Sequence, residues 1–258
     1  MGVAAGPAAL PARVTGTNTK GLLGRRGLAA WLAELRADAA PLAAAGFFVA
    51  VPGPLTGPAA RALEDTGIAV AGQDCWHDGD AGVPTGEVAP ALLAEVGCTH
   101  VLLGHADRRA LGEDDALVAR KAAAAARAGL VPVVTVGETG RGPAAEAVTA
   151  AQASVVAAAL PPGAPLVLMY EPAWTIGAEQ AAAPEYAAPV LHALHAIGRG
   201  RAGPVRVLYG GAVVPGVFSR LAAVAPLDGV GLGRAAHDAG MRREVLAEVL
   251  HGAAGEAG

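Results

Sequence analysis

Leu166-Val167-Leu168-Met169-Tyr170-Glu171-Pro172-Ala173-Trp174-Thr175-Ile176-Gly177 is the stretch on which the fold turns. Its first five residues are apolar or aromatic with no polar alternation, the pattern of a strand covered on both faces, as in a parallel sheet. An ionisable carboxylate, Glu171, stands where that strand stops and a proline-led loop begins. Loops that follow strands carry function because a rigid scaffold aims them, and Trp174 and Ile176 are suited to close over a ligand and exclude water. Taken alone, the run leaves two readings of Glu171 open: a chemical group, or a cap on the next element.

Outward from this run, short β-rich segments alternate with Ala-, Glu- and Arg-rich helical stretches from end to end, as repeated βα units do. The strand segments centre on Arg13–Gly16, Gly46–Val51, Ile68–Gln73, His100–Gly104, Val131–Val136, Leu166–Tyr170, Val205–Tyr209 and Gly229–Leu232. Helices are expected between them, for example over Trp31–Ala40, Ala91–Glu95 and Ala116–Ala128, the last ended by Gly129. Eight βα units without an inter-domain linker predict a single α/β domain closed into a (β/α)8 barrel over residues 12–258. The competing doubly wound sheet lacks its G-x-G-x-x-G after the first strand. In such a barrel functional residues lie at strand C-terminal ends. That rule selects Asn18 and Lys20, His105 and Asp107, Glu171, Gly210-Gly211, and Gly231 with Gly233.

Composition narrows the partners. Net charge is −4 with no basic run, so neither nucleic acid nor an anionic membrane is expected, and a small soluble ligand is. The longest uncharged stretch, residues 147–170, is interrupted by Pro161, Pro162, Gly163 and Pro165 and reads as helix, turn and strand rather than a membrane span. Two cysteines, Cys75 and Cys98, have no metal or redox spacing and read as reduced thiols of a cytoplasmic protein. Residues 1–11 lack the basic start and apolar core of a secretory signal and are expected to be a loose extension.

The strand ends together resemble the triosephosphate isomerase family. Asn18-Thr19-Lys20 matches its N-x-K, and Gly104-His105-Ala106-Asp107-Arg108-Arg109 is an altered G-H-S-E-R-R. Tyr170 to Gly177 matches Y-E-P-x-W-x-I-G in full, and Tyr209-Gly210-Gly211-Ala212-Val213 is close to Y-G-G-S-V. Thr85-Gly86-Glu87 resembles the T-G-E of the family's dimer loop, implying a homodimer with Thr85 as a contact. The resemblance implies a TIM barrel without cofactor or metal that interconverts small phosphosugars, by default glyceraldehyde 3-phosphate and dihydroxyacetone phosphate, in glycolysis and gluconeogenesis. It also implies roles: Glu171 as base, His105 as a neutral electrophile held so by a helix N-terminus, Lys20 as fixed positive charge and Asn18 as neutral donor. Backbone N–H groups of Gly177, Ala212, Gly233 and Arg234 would bind the phosphate. Other residues invite blander readings. Arg108 and Arg109 read as a charged helix start bonded to nearby carboxylates, and His192 and His195 as helix-surface residues. His105 with Asp107 offers two metal ligands, short of the three or four that zinc needs.

Departures from the family predict altered behaviour. Asp107 replaces a glutamate and draws its carboxylate back by about 1.5 Å, enough to slow turnover. Ala106 and Ala212 each replace a serine. Gly231 replaces a leucine that, with Ile176, would clamp the base; its loss is expected to solvate Glu171 and leave room for a four-carbon substrate, as in the family's tetrulose-phosphate branch. Arg234 replaces a glycine and is expected either to meet the ligand phosphate or to pair with Asp238. Ala178-Glu179-Gln180 alters the far hinge of the lid, and with Asp107 it supports a third possibility, a phosphosugar-binding barrel without useful catalysis. The segment 138–143 looks shortened and remote from the chemistry.

Overall fold

The computed structural model describes residues 10–78 and 82–254. Eight parallel strands, β1 (Thr15–Asn18), β2 (Phe47–Val51), β3 (Ala69–Gly72), β4 (His100–Leu103), β5 (Val131–Val136), β6 (Leu166–Tyr170), β7 (Val205–Tyr209) and β8 (Gly229–Leu232), close into a barrel. The closure is made by β1 against β8, with Gly16 opposite Gly231 and Thr17 opposite Leu232. Helices surround it, so each strand is covered inside and out, as the unbroken apolar runs require.

Two apolar bodies result. Val14, Phe48, Ala50, Ala71, Leu102, Val133, Val167, Met169 and Leu208 fill the barrel interior. A larger layer, including Phe47, Val49, Leu103, Leu168, Leu191 and Val249, lies between strands and helices. Alternation along each strand sorts them: in β2, Phe47 and Val49 face outward while Phe48 and Ala50 face inward.

The expected β5 to β8 coincide with the observed strands. The first strand runs further than expected: Asn18 is its last residue, opposite Ala50, while Arg13 lies before it and donates to the Leu227 carbonyl at 2.8 Å. Asn18 is therefore held by the sheet itself. The first helix spans Arg25–Ala37 and stops at Asp38, whose carboxylate binds Arg242 and Arg243. Gly129 ends Asp115–Arg127 as expected, with a left-handed φ of 82° that only glycine adopts at little cost. His192 is exposed, but His195 is half-buried with its Nε2 3.7 Å from Asp228, a correction to its expected surface position.

Residues 1–9 of the expected loose extension lie outside the described residues. Leu10 packs into the barrel-interior cluster, and the Pro11 carbonyl accepts from Arg206 Nε at 2.6 Å, so residues 10 and 11 join the barrel. No helix among the described residues is long and apolar enough to cross a membrane.

Candidate active site

Asn18, Lys20, His105 and Glu171, brought from β1, β4 and β6, line one cleft of about 610 Å³ at the C-terminal mouth of the barrel. Ile176, Gly177, Ala212, Gly231, Gly233 and Arg234 line it too. Asp107 stands beside it, 59% exposed, in contact with Lys20 and His105. Thr85 is not in the cleft but exposed in the loop after β3.

Glu171 leaves β6 with its backbone N–H donating to the Val136 carbonyl at 2.9 Å, which fixes its stem against β5. The side chain is 14% exposed. Its Oε2 is buried without a hydrogen-bond partner, so an ionised carboxylate is poorly stabilised there. Burial pushes its pKa up to about 7, opposed by the charge of Lys20 and aided by that of Asp107. The solvated Glu171 expected from Gly231 is therefore wrong. A Cβ at residue 231 would stand 2.4 Å from the Met169 Sδ, because the thioether already occupies the space of the missing side chain.

His105 caps the helix Ala106–Ala110, and its Nδ1 accepts the Asp107 backbone N–H at 3.0 Å. An accepting ring nitrogen carries no proton, so the neutral ring bears its proton on Nε2, which lies 3.4 Å from Glu171 Oε2. Burial and the charge of Lys20 push the histidine pKa down against the pull of Asp107. The preceding Gly104 turns the chain at φ 67°, where a Cβ would strike Val118 at 2.9 Å.

Lys20 has φ 46°, a strained backbone for a residue with a Cβ. Its N–H donates to Asn18 Oδ1 at 2.9 Å, and Gln73 Nε2 donates to the same oxygen at 2.9 Å and to the Lys20 carbonyl at 3.0 Å. These bonds over-determine the turn and leave the Asn18 amide N–H2 as a donor. Lys20 Nζ lies 3.0 Å from Asp107 Oδ2, so the shorter carboxylate still reaches the lysine. Burial tends to raise the Asp107 pKa, but the Lys20 hydrogen bond, His105 and the Lys20 charge outweigh it and hold it below the usual carboxylate value. Arg108 and Arg109 bind Glu113, Asp74 and Asp115, as expected of a charged helix start beside carboxylates.

Gln73 and Glu138 were missed, although both follow strand ends, the positions where function was sought. Glu138 accepts from Trp174 Nε1 at 2.8 Å, from Tyr186 at 3.0 Å and from Tyr170 at 3.3 Å. Arg141 stands over the Trp174 and Tyr186 rings at 5.7 and 5.6 Å. The segment 138–143, expected to be remote from the chemistry, instead anchors the loop that follows Glu171. The expected pairing of Arg234 with Asp238 is corrected: its guanidinium donates to the Ala178 carbonyl at 2.9 Å at the rim of the cleft, and Asp238 instead accepts the Met241 N–H at 2.9 Å. Among the described residues no group of three or more His, Cys, Asp or Glu is placed to hold a metal ion.

Similarity to known proteins extends over the same residues. The sequence profile described as triosephosphate isomerase matches residues 14–249. The triosephosphate isomerase of Alkalilimnicola ehrlichii is 43% identical over 206 residues, covering 74% of this chain and 80% of the relative. That of Bordetella pertussis is 43% identical over 208 residues, 78% of this chain and 83% of the relative. The L-erythrulose-1-phosphate isomerase of Pectobacterium atrosepticum is 37% identical over 219 residues, 82% of this chain and 83% of the relative. Since the profile runs from the residue before β1 into the final helix and takes in every strand end that lines the cleft, the chain belongs to the triosephosphate isomerase family.

Proposed function

We propose that this protein is a cofactor-independent aldose–ketose isomerase that interconverts glyceraldehyde 3-phosphate and dihydroxyacetone phosphate. The observation that carries it is the meeting of a desolvated carboxylate with a neutral Nε2–H donor, 3.4 Å apart, beside a lysine in one cleft. Glu171 removes the proton from the carbon next to the carbonyl, and the released electron pair moves onto the carbonyl oxygen to give an enediolate. His105 donates its Nε2 proton to one oxygen and recovers a proton from the other, while Lys20 and Asn18 stabilise the developing charge. Glu171 then returns its proton to the neighbouring carbon. The backbone N–H groups of Gly177, Ala212, Gly233 and Arg234 receive the phosphate, and Ile176 and the lid exclude water that would protonate the intermediate wrongly.

A second reading keeps these residues and changes the substrate to a tetrulose phosphate. Its support is the similarity to the Pectobacterium atrosepticum enzyme and the absence of a side chain at residue 231. Met169 weakens it by filling the space that Gly231 leaves. Comparison of kcat/KM on dihydroxyacetone phosphate and L-erythrulose 1-phosphate, with Glu171→Gln as control, decides between them. High activity on the triose that disappears in the control is expected. Turnover mainly of the tetrulose would select the second reading, and binding without turnover would replace both with a non-catalytic phosphosugar barrel.

The protein is proposed to act as a homodimer, the exposed loop bearing Thr85 inserting beside Asn18 and Lys20 of a second copy. Light scattering that finds a fully active monomer would overturn this. A cytoplasmic location is supported by two buried free thiols, Cys75 and Cys98, and a place in glycolysis and gluconeogenesis by the family to which the chain belongs.

A further inference from the structure

Gly16 of β1 and Gly231 of β8 face each other across the seam that closes the barrel. Neither has room for a side chain. A Cβ at residue 16 would lie 2.3 Å from the Phe48 ring, and one at residue 231 would lie 2.4 Å from Met169 Sδ. Phe48 from β2 and Met169 from β6 reach inward to fill this two-glycine notch, and both line the cleft. Met169 and Glu171, two apart at the end of β6, project to the same side of the sheet. Both crowd Gly210: a Cβ there would stand 3.2 Å from Glu171 Cβ and 3.3 Å from Met169 Cγ. The methionine thus flanks Gly210 together with the stem of Glu171 and ends against Gly231 of β8, in the cleft that Glu171 also lines. An unbranched thioether with three rotatable bonds can make that crossing where a β-branched side chain would stop short.

We propose that Met169 is the positioning residue that keeps the Glu171 end of the cleft dry. It supplies from β6 the apolar wall that a side chain at residue 231 would supply from β8, so residues 169 and 231 act as one exchangeable pair. The proposal rests on the reading of Glu171 as the base. In this arrangement Gly231 is no defect of the cleft but the condition for Met169 to lie where it does.

The test is the pH dependence of kcat/KM for Met169→Ala, Met169→Leu, Gly231→Leu and the double variant Met169→Ala/Gly231→Leu, with dihydroxyacetone phosphate and L-erythrulose 1-phosphate as substrates. The ionisation of each substrate is common to all variants, so differences among them report the enzyme. Met169→Ala is expected to admit water, move the acid limb down by about half a pH unit or more, and lower kcat rather than raise KM, by about tenfold. Met169→Leu keeps the limb in place. Gly231→Leu loses activity while Met169 is present, and the double variant regains most of it together with the acid limb. An acid limb in Met169→Ala that coincides with the parent's overturns the proposal, as does a fully active Gly231→Leu or a double variant no better than Gly231→Leu. If Gly231→Leu fails to fold by circular dichroism, Met169→Ala against Met169→Leu decides alone. Glu171→Gln separates the two levels. Retained activity there would sink the assignment of the base, whereas lost activity there with an unmoved limb in Met169→Ala would sink only the role of Met169.

Discussion

At Glu171 the burial that makes a carboxylate a stronger base also penalises its ionised form in the folded protein. Its pKa is raised from 4.5 to about 7. Its contribution to stability is therefore fully present below pH 4.5 and is lost as pH rises through about 7, a change on the order of a few kcal/mol. Glu171→Gln, which cannot ionise, should melt several degrees above the parent at pH 8 and by much less at pH 5, measured by calorimetry across that range. A melting difference independent of pH would mean that the carboxylate is hydrated. Asp107 lies outside this dry region and spends its carboxylate on Lys20 at 3.0 Å. Asp107→Glu restores a longer reach without removing the charge, and kcat/KM is expected to rise severalfold; unchanged or lower activity would show that the shorter side chain costs nothing.

Single side chains are aimed here by turns at the ends of strands, and these turns are held by side chains that follow other strands. The Asn18–Lys20 turn is held from the end of β3 by Gln73, which donates to Asn18 Oδ1 and to the Lys20 carbonyl. Without those bonds the strained φ of Lys20 is free to relax. Gln73→Ala should thus lower kcat by about 10- to 100-fold, the cost of misplacing a catalytic group by about 1 Å, with little change in melting temperature. Steady-state kinetics with a melting curve checks this, and a variant with normal kcat would release Gln73 from the role. The lid loop is tied in the same manner at both ends: Trp174 to Glu138 after β5, and Ala178 to Arg234 after β8.

Across the whole molecule, falling and rising pH act on different ends of the barrel. His100 opens β4 with 8% of its surface exposed, stacked on Phe48, and burial pushes its pKa down to about 4. Its stabilising contribution is present above its unperturbed value of 6.5 and is lost as pH falls through about 4. His100→Gln, a side chain that cannot charge, should flatten the fall in denaturant midpoint between pH 6.5 and 4; an equally steep fall would place the acid sensitivity elsewhere. Between 4.5 and 6.5 the Glu171 and His100 contributions change in opposite directions with pH, which predicts a shallow stability maximum in that window.

The sequence by itself determined the barrel and most of its working end. Short unbroken apolar runs bounded by turns fit strands covered on both faces, so β5 to β8 were legible to the residue, and polar residues at the ends of β1, β4 and β6 pointed to Asn18, Lys20, His105 and Glu171. Less legible was anything that depends on which side chains fill a shared volume. Gly231 read as an opening because sequence shows what a position lacks, whereas packing shows that Met169, 62 residues away along the chain, occupies it. Gln73, Glu138 and the Arg234 contact were hidden for the same reason. Hydrogen bonds across a closed barrel join residues whose proximity exists only after the sheet has closed, and the solvation of Glu171, on which its chemistry depends, is a property of that closed assembly rather than of any run of residues.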